Sequence, residues 1–316
     1  MLVLRLIFGS LMIAACVGLV WLDAWLSQQP APAAWPAPSV NVLGLIWQGG
    51  PIVLAVTALV VLGAVELGRL LDRGGYRPIT WWAAAMAGLV AVAPWLMPGC
   101  FGTDSWSPLG VVLAVGLLGA FLAVMGSGRI EGGAASVATT FLIMGYTGLL
   151  ASFVVRIRVD LPGVAGAWAV MYFIGVVKVT DIAAYFVGSA VGRHKLVPRL
   201  SPGKTVEGLV GGVLAAAGAS VVLAWMGGII VPSGVGGWRL GSGEALVFGV
   251  VMALAGQLGD LAESLIKRDV AQKDSGRAVP GFGGILDLVD SPLLAAPLAW
   301  WMLHRAWSIA GASGGP

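Results

Sequence analysis

Charge is scarce in this chain of 316 residues: 10% are Asp, Glu, Lys or Arg, against about 25% in soluble proteins. So few polar groups cannot clothe a water-facing surface of this size, and no soluble domain is expected. Cysteine and histidine are rarer still, with 2 of each. Cys16 and Cys100 fall in or beside apolar runs and lack CxxC spacing, so they read as packing residues rather than a disulfide or metal site. Of the histidines, His194 reads as a solvated loop residue and His304, inside an apolar run, as one that satisfies a packing hydrogen bond. No internal repeat is evident, which counts against a carrier built from inverted halves. What is abundant is hydrocarbon: 58% of residues are apolar, 14 are Trp, and the mean hydropathy is +0.93. The chain reads as an all-α, polytopic membrane bundle.

A window of about 20 residues, the length that crosses the hydrocarbon core, finds nine spans, at 2–22, 50–68, 79–98, 107–126, 134–155, 166–191, 207–231, 244–266 and 291–311. Alternating the loops from a cytoplasmic N-terminus puts thirteen basic residues on the cytoplasmic side and three, Arg156, Arg158 and Arg239, on the other. Positive-inside bias favours this topology, with the C-terminus outside. The first span is long enough to cross, and the small residues at Ala31 to Ala33 lie too far beyond it for a cleaved signal peptide. The Pro/Ala-rich stretch 28–38 reads as an extended external linker. Residues 1–165 then form an N-terminal scaffold of about five helices. Residues 166–316 form a catalytic region, since 178–290 hold 19 of the 33 formal charges.

An ionisable group at bilayer depth costs several kcal/mol unless paired, hydrated or metal-bound, so clustered charges mark function. Three constellations stand out. In the sixth span Lys178 and Asp181 are three residues apart, with Tyr185 and Gly188 on the same face; they read as a packing ion pair or as the wall of a polar, cytoplasm-facing cavity in which Asp181 holds a cation or a basic group. The next loop carries Arg193, Lys195, Arg199 and Lys204. Its Pro198 to Thr205 stretch looks like a P-loop, but Pro198 occupies the place of the first glycine and no strand is expected before it. What remains is a basic, hydroxyl-bearing loop entering a helix, with Ser201 or Thr205 as cap and Glu207 in the first turn. Free N–H groups and the helix dipole favour a phosphate there, with Lys204, Arg199 and Lys195 as countercharge; four cations that obey the positive-inside rule and touch anionic lipid head groups are the alternative.

The third constellation runs from Gly256 to Asp290. Asp260, Glu263, Ser264 and Lys267 share one helix face by their spacing. Arg268, Lys273 and Asp274 follow, and the turn Pro280 to Gly284 re-aims the chain toward Asp287 and Asp290. Several carboxylates without Cys or His suit one or two hard cations such as Mg²⁺. A metal facing a basic phosphate loop is what phosphoryl or nucleotidyl transfer needs. An internal salt-bridge network is the alternative.

At these residues the chain resembles the phosphatidate cytidylyltransferases. Their C-terminal signature stands here as Ser264, Lys267-Arg268, Lys273-Asp274, Pro280-Gly281-Phe282-Gly283-Gly284 and Asp287-Leu288-Val289-Asp290-Ser291. Upstream, Asp181 to Gly188 and Ser201 to Gly208 fit as well. Phe282 stands where the family has His, and Leu288 where it has Arg. The resemblance covers roughly residues 175–297. It implies that CTP and phosphatidate give CDP-diacylglycerol and diphosphate with Mg²⁺. It also implies a plasma-membrane (inner-membrane) homodimer whose cavity opens to lipid and whose site faces the cytoplasm; no nucleic acid is expected as a partner. By residue-wise transfer Asp260 and Asp287 resemble the metal carboxylates, with Asp274 and Asp290 beside them. Lys204, Arg199, Ser201 and Lys267 are expected on phosphates, and Glu207, Asp181, Arg268 and Lys273 around the substrates. Two other functions fit the same charges: another CTP-dependent lipid enzyme, a CDP-lipid synthase on a different lipid or a lipid kinase, and an ion-coupled carrier of an anionic solute. Clustering near one membrane face rather than the midplane counts against the carrier.

Overall fold

The computed structural model describes residues 2–29, 49–96, 108–128, 130–161, 163–231, 238, 240–276 and 283–313. Most of the 28–38 linker, Cys100 and the segment Pro280 to Phe282 lie outside them. Among the described residues the long elements are helices: α1 (Leu2–Leu26), α2 (Gly50–Arg73), α3 (Thr80–Leu96), α4 (Pro108–Gly126), α5 (Gly133–Ile143), α6 (Leu150–Val159), α7 (Gly163–Val191), α8 (Val206–Ile230), α9 (Ser242–Asp269) and α10 (Leu286–Ser313). A π-helical turn, Met144–Leu149, joins α5 to α6, so that pair fills the fifth expected span. Seven of these spans are long and apolar enough to cross a membrane. Of the other two, α3 is shorter, at 17 residues, and α10 lies outside the seven. The chain is a polytopic helical membrane protein.

One element departs from the all-α expectation. Lys195–Val197 (β1) and Ser201–Thr205 (β2) pair antiparallel, with Lys195 opposite Thr205 and Val197 opposite Ser201. A short strand therefore does precede Pro198, contrary to the sequence reading. The P-loop interpretation still fails, because Ser201 to Thr205 is itself extended where a phosphate loop would curl.

By contacts the chain divides into two compact units, each drawing on both halves of the sequence. The first comprises Met1–Ala15, Ile52–Arg156 and Leu265–Val289; the second comprises Cys16–Pro51, Ile157–Ser264 and Asp290–Pro316. In the first, Ile79, Ala120, Val124 and Val137 form one buried cluster, with Trp82 packed against it and donating from Nε1 to the Gly116 carbonyl at 2.8 Å. The π turn belongs here. Gly148, within that turn, lies so close to α3 that a Cβ would stand 2.7 Å from the Ala87 backbone.

In the second unit α7 and α8 run against each other along a line of small residues. A Cβ at Gly188 would stand 2.9 Å from Thr205 Oγ1, and one at Gly208 2.7 Å from the Ala184 carbonyl. Small residues of this kind let membrane helices meet backbone to backbone, where dispersion replaces the hydrophobic drive that lipid removes. Tyr172, fully buried on α7, reaches Ser220 on α8 at 2.5 Å, and Ser220 donates to the Ala245 carbonyl of α9. With the Ser220 proton spent on Ala245, the Tyr172 hydroxyl must donate to Ser220, so three helices share one oriented chain of hydrogen bonds. The basic residue Arg158, expected in an external loop, is instead 2% exposed, and its Nε donates to Asp23 Oδ1 at 2.5 Å.

Candidate active site

In the second unit, α9 brings Asp260 and Glu263 onto one face and Gly259 beside it. A Cβ at Gly259 would stand 2.5 Å from the Asp290 carbonyl, so glycine is what admits the start of α10 this close. The result is three carboxylates, Asp260, Glu263 and Asp290, with one oxygen from each within 4.8 Å of the others. Glu263 is 1% and Asp290 5% exposed. One Asp290 oxygen accepts the Ser291 N–H at 2.6 Å. Two unit charges at such a separation repel by about 3 kcal/mol even at an effective dielectric of ~20. An acidic trio with two members buried and Asp260 half-buried therefore calls for positive charge, and three hard oxygens without sulfur or imidazole suit Mg²⁺-like ions.

One cation is already there. Lys204, at the end of β2, places Nζ 2.6 Å from Asp260 Oδ2 and 3.3 Å from the Gln257 carbonyl. The basic loop and the acidic helix thus meet through their most central residues. Asp181 pairs with Lys178 at 3.6 Å and lies near enough to feel Asp260 and Lys204.

The start of α8 differs from the expected open anion site. Thr205, extended at φ −125°, is the cap, and its Oγ1 accepts the Gly208 N–H at 3.1 Å. The Val206 N–H goes to the His194 carbonyl at 2.9 Å. Glu207 turns back to accept the N–H groups of Arg193 and His194 and the His194 ring at 2.6 Å. Donors that the sequence suggested for phosphate are filled by the chain, so anion binding by this loop falls to side chains. Arg199 is exposed near the hairpin tip and Ser201 is half-buried.

In the first unit a second constellation surrounds Asp287, in the first turn of α10. Its Oδ1 accepts from Lys267 Nζ at 2.7 Å; its Oδ2 accepts the Gly284 N–H at 2.6 Å and faces Ser275 Oγ at 2.9 Å. Partial burial works to raise the Asp287 pKa, but the hydrogen bonds from Lys267 and Gly284 and the Lys267 charge outweigh it and hold the carboxyl below its usual range. Ser275 also hydrogen-bonds Glu66 of α2, whose Oε2 accepts the Ile285 N–H at 2.9 Å and whose Oε1 accepts the Leu286 N–H at 3.4 Å. Of the remaining predicted residues, Lys273 and Asp274 are exposed, and Arg268 donates to the Gln272 carbonyl at 3.3 Å.

Sequence reasoning left Glu263 out of its metal set and passed over Glu66 and Asp23 altogether. A signal existed for Glu66, since it is the lone charge in the apolar run 50–68. His194 is exposed as expected, though paired with Glu207; His304 stacks on Trp300 with centroids 5.4 Å apart.

Comparison with known proteins places these residues in context. A model of the cytidylyltransferase family matches residues 33–306. The phosphatidate cytidylyltransferase of Brucella suis biovar 1 (strain 1330) is 38% identical over 194 residues, 60% of this chain and 65% of that protein. The phosphatidate cytidylyltransferase of Staphylococcus saprophyticus is 41% identical over 133 residues, 42% of this chain and 48% of that one. An uncharacterized protein of Escherichia coli (strain K12), YnbB, is 39% identical over 139 residues, 44% of this chain and 43% of that one. The chain spans between 43% and 65% of the length of these relatives.

Proposed function

The chain belongs to the cytidylyltransferase family, and from that membership we propose that it makes CDP-diacylglycerol and diphosphate from CTP and phosphatidate. The observation that carries this reading is Lys204 held against the acidic trio Asp260, Glu263 and Asp290. A cation for polyphosphate and a cage for a divalent metal thus share one place in a chain related to phosphatidate cytidylyltransferases.

In the transfer, an oxygen of the phosphatidate phosphate attacks the α-phosphorus of CTP. The bond to the bridging oxygen of the β-phosphate breaks, and diphosphate leaves with that electron pair. No covalent nucleophile from the protein is required, so the side chains position groups and neutralise charge. Asp260, Glu263 and Asp290 would hold a divalent cation, which would supply positive charge against the triphosphate. Lys204 exchanges its carboxylate partner for a nucleotide phosphate, with Arg199 and Ser201 beside it on the hairpin. Lys267, oriented by Asp287, is assigned to a substrate phosphate, and Arg268, Lys273 and Asp274 to the substrate-facing end of the same segment. Asp181 balances the basic groups. The protein acts as a homodimer in the plasma membrane, with these loops on the cytoplasmic side, where CTP is supplied and where basic loop residues concentrate.

The test is incubation of purified protein with radiolabelled CTP, Mg²⁺ and phosphatidate. A labelled liponucleotide and released diphosphate are expected. Transfer of the γ-phosphate to a lipid without cytidine would refute the assignment in favour of a kinase.

A further inference from the structure

Glu66 is the lone charged residue of α2 between Gly50 and Gly68, far upstream of the motifs at residues 175–297. Its carboxylate does not face solvent idly. It accepts the backbone N–H groups of Ile285 and Leu286, which open α10, and it hydrogen-bonds Ser275. The first N–H groups of a helix have no partner within the helix and must find one elsewhere. Here the partner comes from another helix, and a carboxylate at a helix start also gains from the dipole.

The surroundings of Glu66 are shaped around its carboxylate. A Cβ at Gly276 would stand 2.8 Å from Glu66 Cδ, and one at Gly284 would overlap both the Glu66 carboxylate and Ser275 Oγ. Gly283 has φ +104°, a conformation side chains rarely adopt, and a Cβ there would stand 2.5 Å from Asp287 Oδ2. Glu66 and Asp287 are joined through one hydroxyl: Ser275 contacts both, and with a single proton it can donate to either but not to both at once.

We propose that Glu66 is a positioning residue for the reaction, fixing Ser275 and the first turn of α10 so that Asp287 holds Lys267 in its working place. Glu66 acts through Ser275, the Ile285 and Leu286 amides and Asp287, and touches no substrate. The proposal rests on the cytidylyltransferase reading above and deepens it.

The experiment uses the full chain in nanodiscs, as wild type, Glu66→Ala, Glu66→Gln and Ser275→Ala. Hydrogen exchange is read at the Ile285 and Leu286 amides without substrate, and kcat and KM are read with CTP, phosphatidate and Mg²⁺. In Glu66→Ala those two amides should exchange at least about tenfold faster while the amides of α7 and α8 do not change. In the same variant kcat should fall at least about tenfold with KM for CTP within about threefold. Glu66→Gln, which keeps a carbonyl oxygen to accept, should recover part of both effects, and Ser275→Ala, which leaves α2 intact, should lower kcat with little change in exchange at Leu286. Unchanged exchange in Glu66→Ala overturns the contact. Faster exchange with wild-type kcat overturns the positioning role. General loosening, with α7 and α8 exchanging faster too, makes Glu66 a stability residue and equally overturns it. A wild type that makes no liponucleotide sinks the parent reading instead, and the amide exchange still decides whether Glu66 holds the turn.

Discussion

Replacing Asp23 with alanine should be among the most damaging single changes outside the candidate active site. Asp23, near the end of α1, is 0% exposed and Arg158, near the end of α6, is 2% exposed. The guanidinium donates from Nε to Asp23 Oδ1 at 2.5 Å and from Nη2 to Ser27 Oγ at 2.6 Å. Losing one partner of a buried pair costs about 3–5 kcal/mol, because the remaining charge has neither water nor its counterion. At 1.36 kcal/mol per factor of ten, that shifts the folding equilibrium by roughly 10²- to 10⁴-fold. Asp23→Leu combined with Arg158→Met removes both charges in similar volume and should return most of the loss, since the desolvation cost disappears with the attraction. Thermal melts of detergent-purified protein, followed by tryptophan fluorescence, should show the single variant lower in Tm by on the order of 10 °C and the double variant within a few degrees of wild type. A single variant within about 1 °C of wild type, or a double variant no better than the single, would refute the reasoning.

Three further outcomes are expected. Asp260→Asn should insert and fold but lose about a hundredfold or more in kcat at limiting Mg²⁺, because a charged oxygen leaves the acidic trio; near-wild-type turnover removes Asp260 from the metal site. Lys204→Ala should raise KM for CTP by about tenfold and KM for phosphatidate much less, and the reverse pattern in steady-state kinetics would move Lys204 to the lipid headgroup. For topology, Ser275 is buried and unsuitable for labelling, so single cysteines at Gly203 and Lys273, in a background lacking Cys16 and Cys100, should react with an impermeant thiol reagent only in inside-out vesicles. Reaction from the external face would reverse the membrane orientation.

Hydropathy alone located the helices, because a span must be long and apolar to satisfy its backbone in lipid. The boundaries were less legible. Helix α2 runs to Arg73 rather than stopping near 68, since a helix can continue into the interface with its charged last turn, and α9 likewise carries Lys267 and Arg268. The π turn left no trace in the pattern, since a one-residue offset does not change the hydropathy of a span. Spacing correctly put Asp260 and Glu263 on one face of α9. It could not say that Asp290 rather than a nearer acid completes the trio, because that depends on Gly259 admitting α10. Thr205 was one of two cap candidates, and only the extended backbone of Ser201 to Thr205 decides between them. Glu66 and Asp23 belong to long-range contacts from the region read as scaffold, and one sequence offers no period that would pair residue 66 with residues 275 and 285.

The glycine line between α7 and α8 also limits how the hairpin between them can move. With Gly188 and Gly192 pressed on Thr205, and Gly208 pressed on Ala184, nothing compressible lies between the helices where the hairpin is rooted. Both roots are therefore closely packed, one on the Thr205 side chain and one on the Ala184 carbonyl, so a change of partner by Lys204, one residue from a root, is expected to involve its side chain rather than the strand. The outer span, Pro198 to Leu200, lies beyond these contacts and is closed by the Leu200 N–H on the Val197 carbonyl at 3.2 Å. A rearrangement of this hairpin is then expected at its tip rather than at its base.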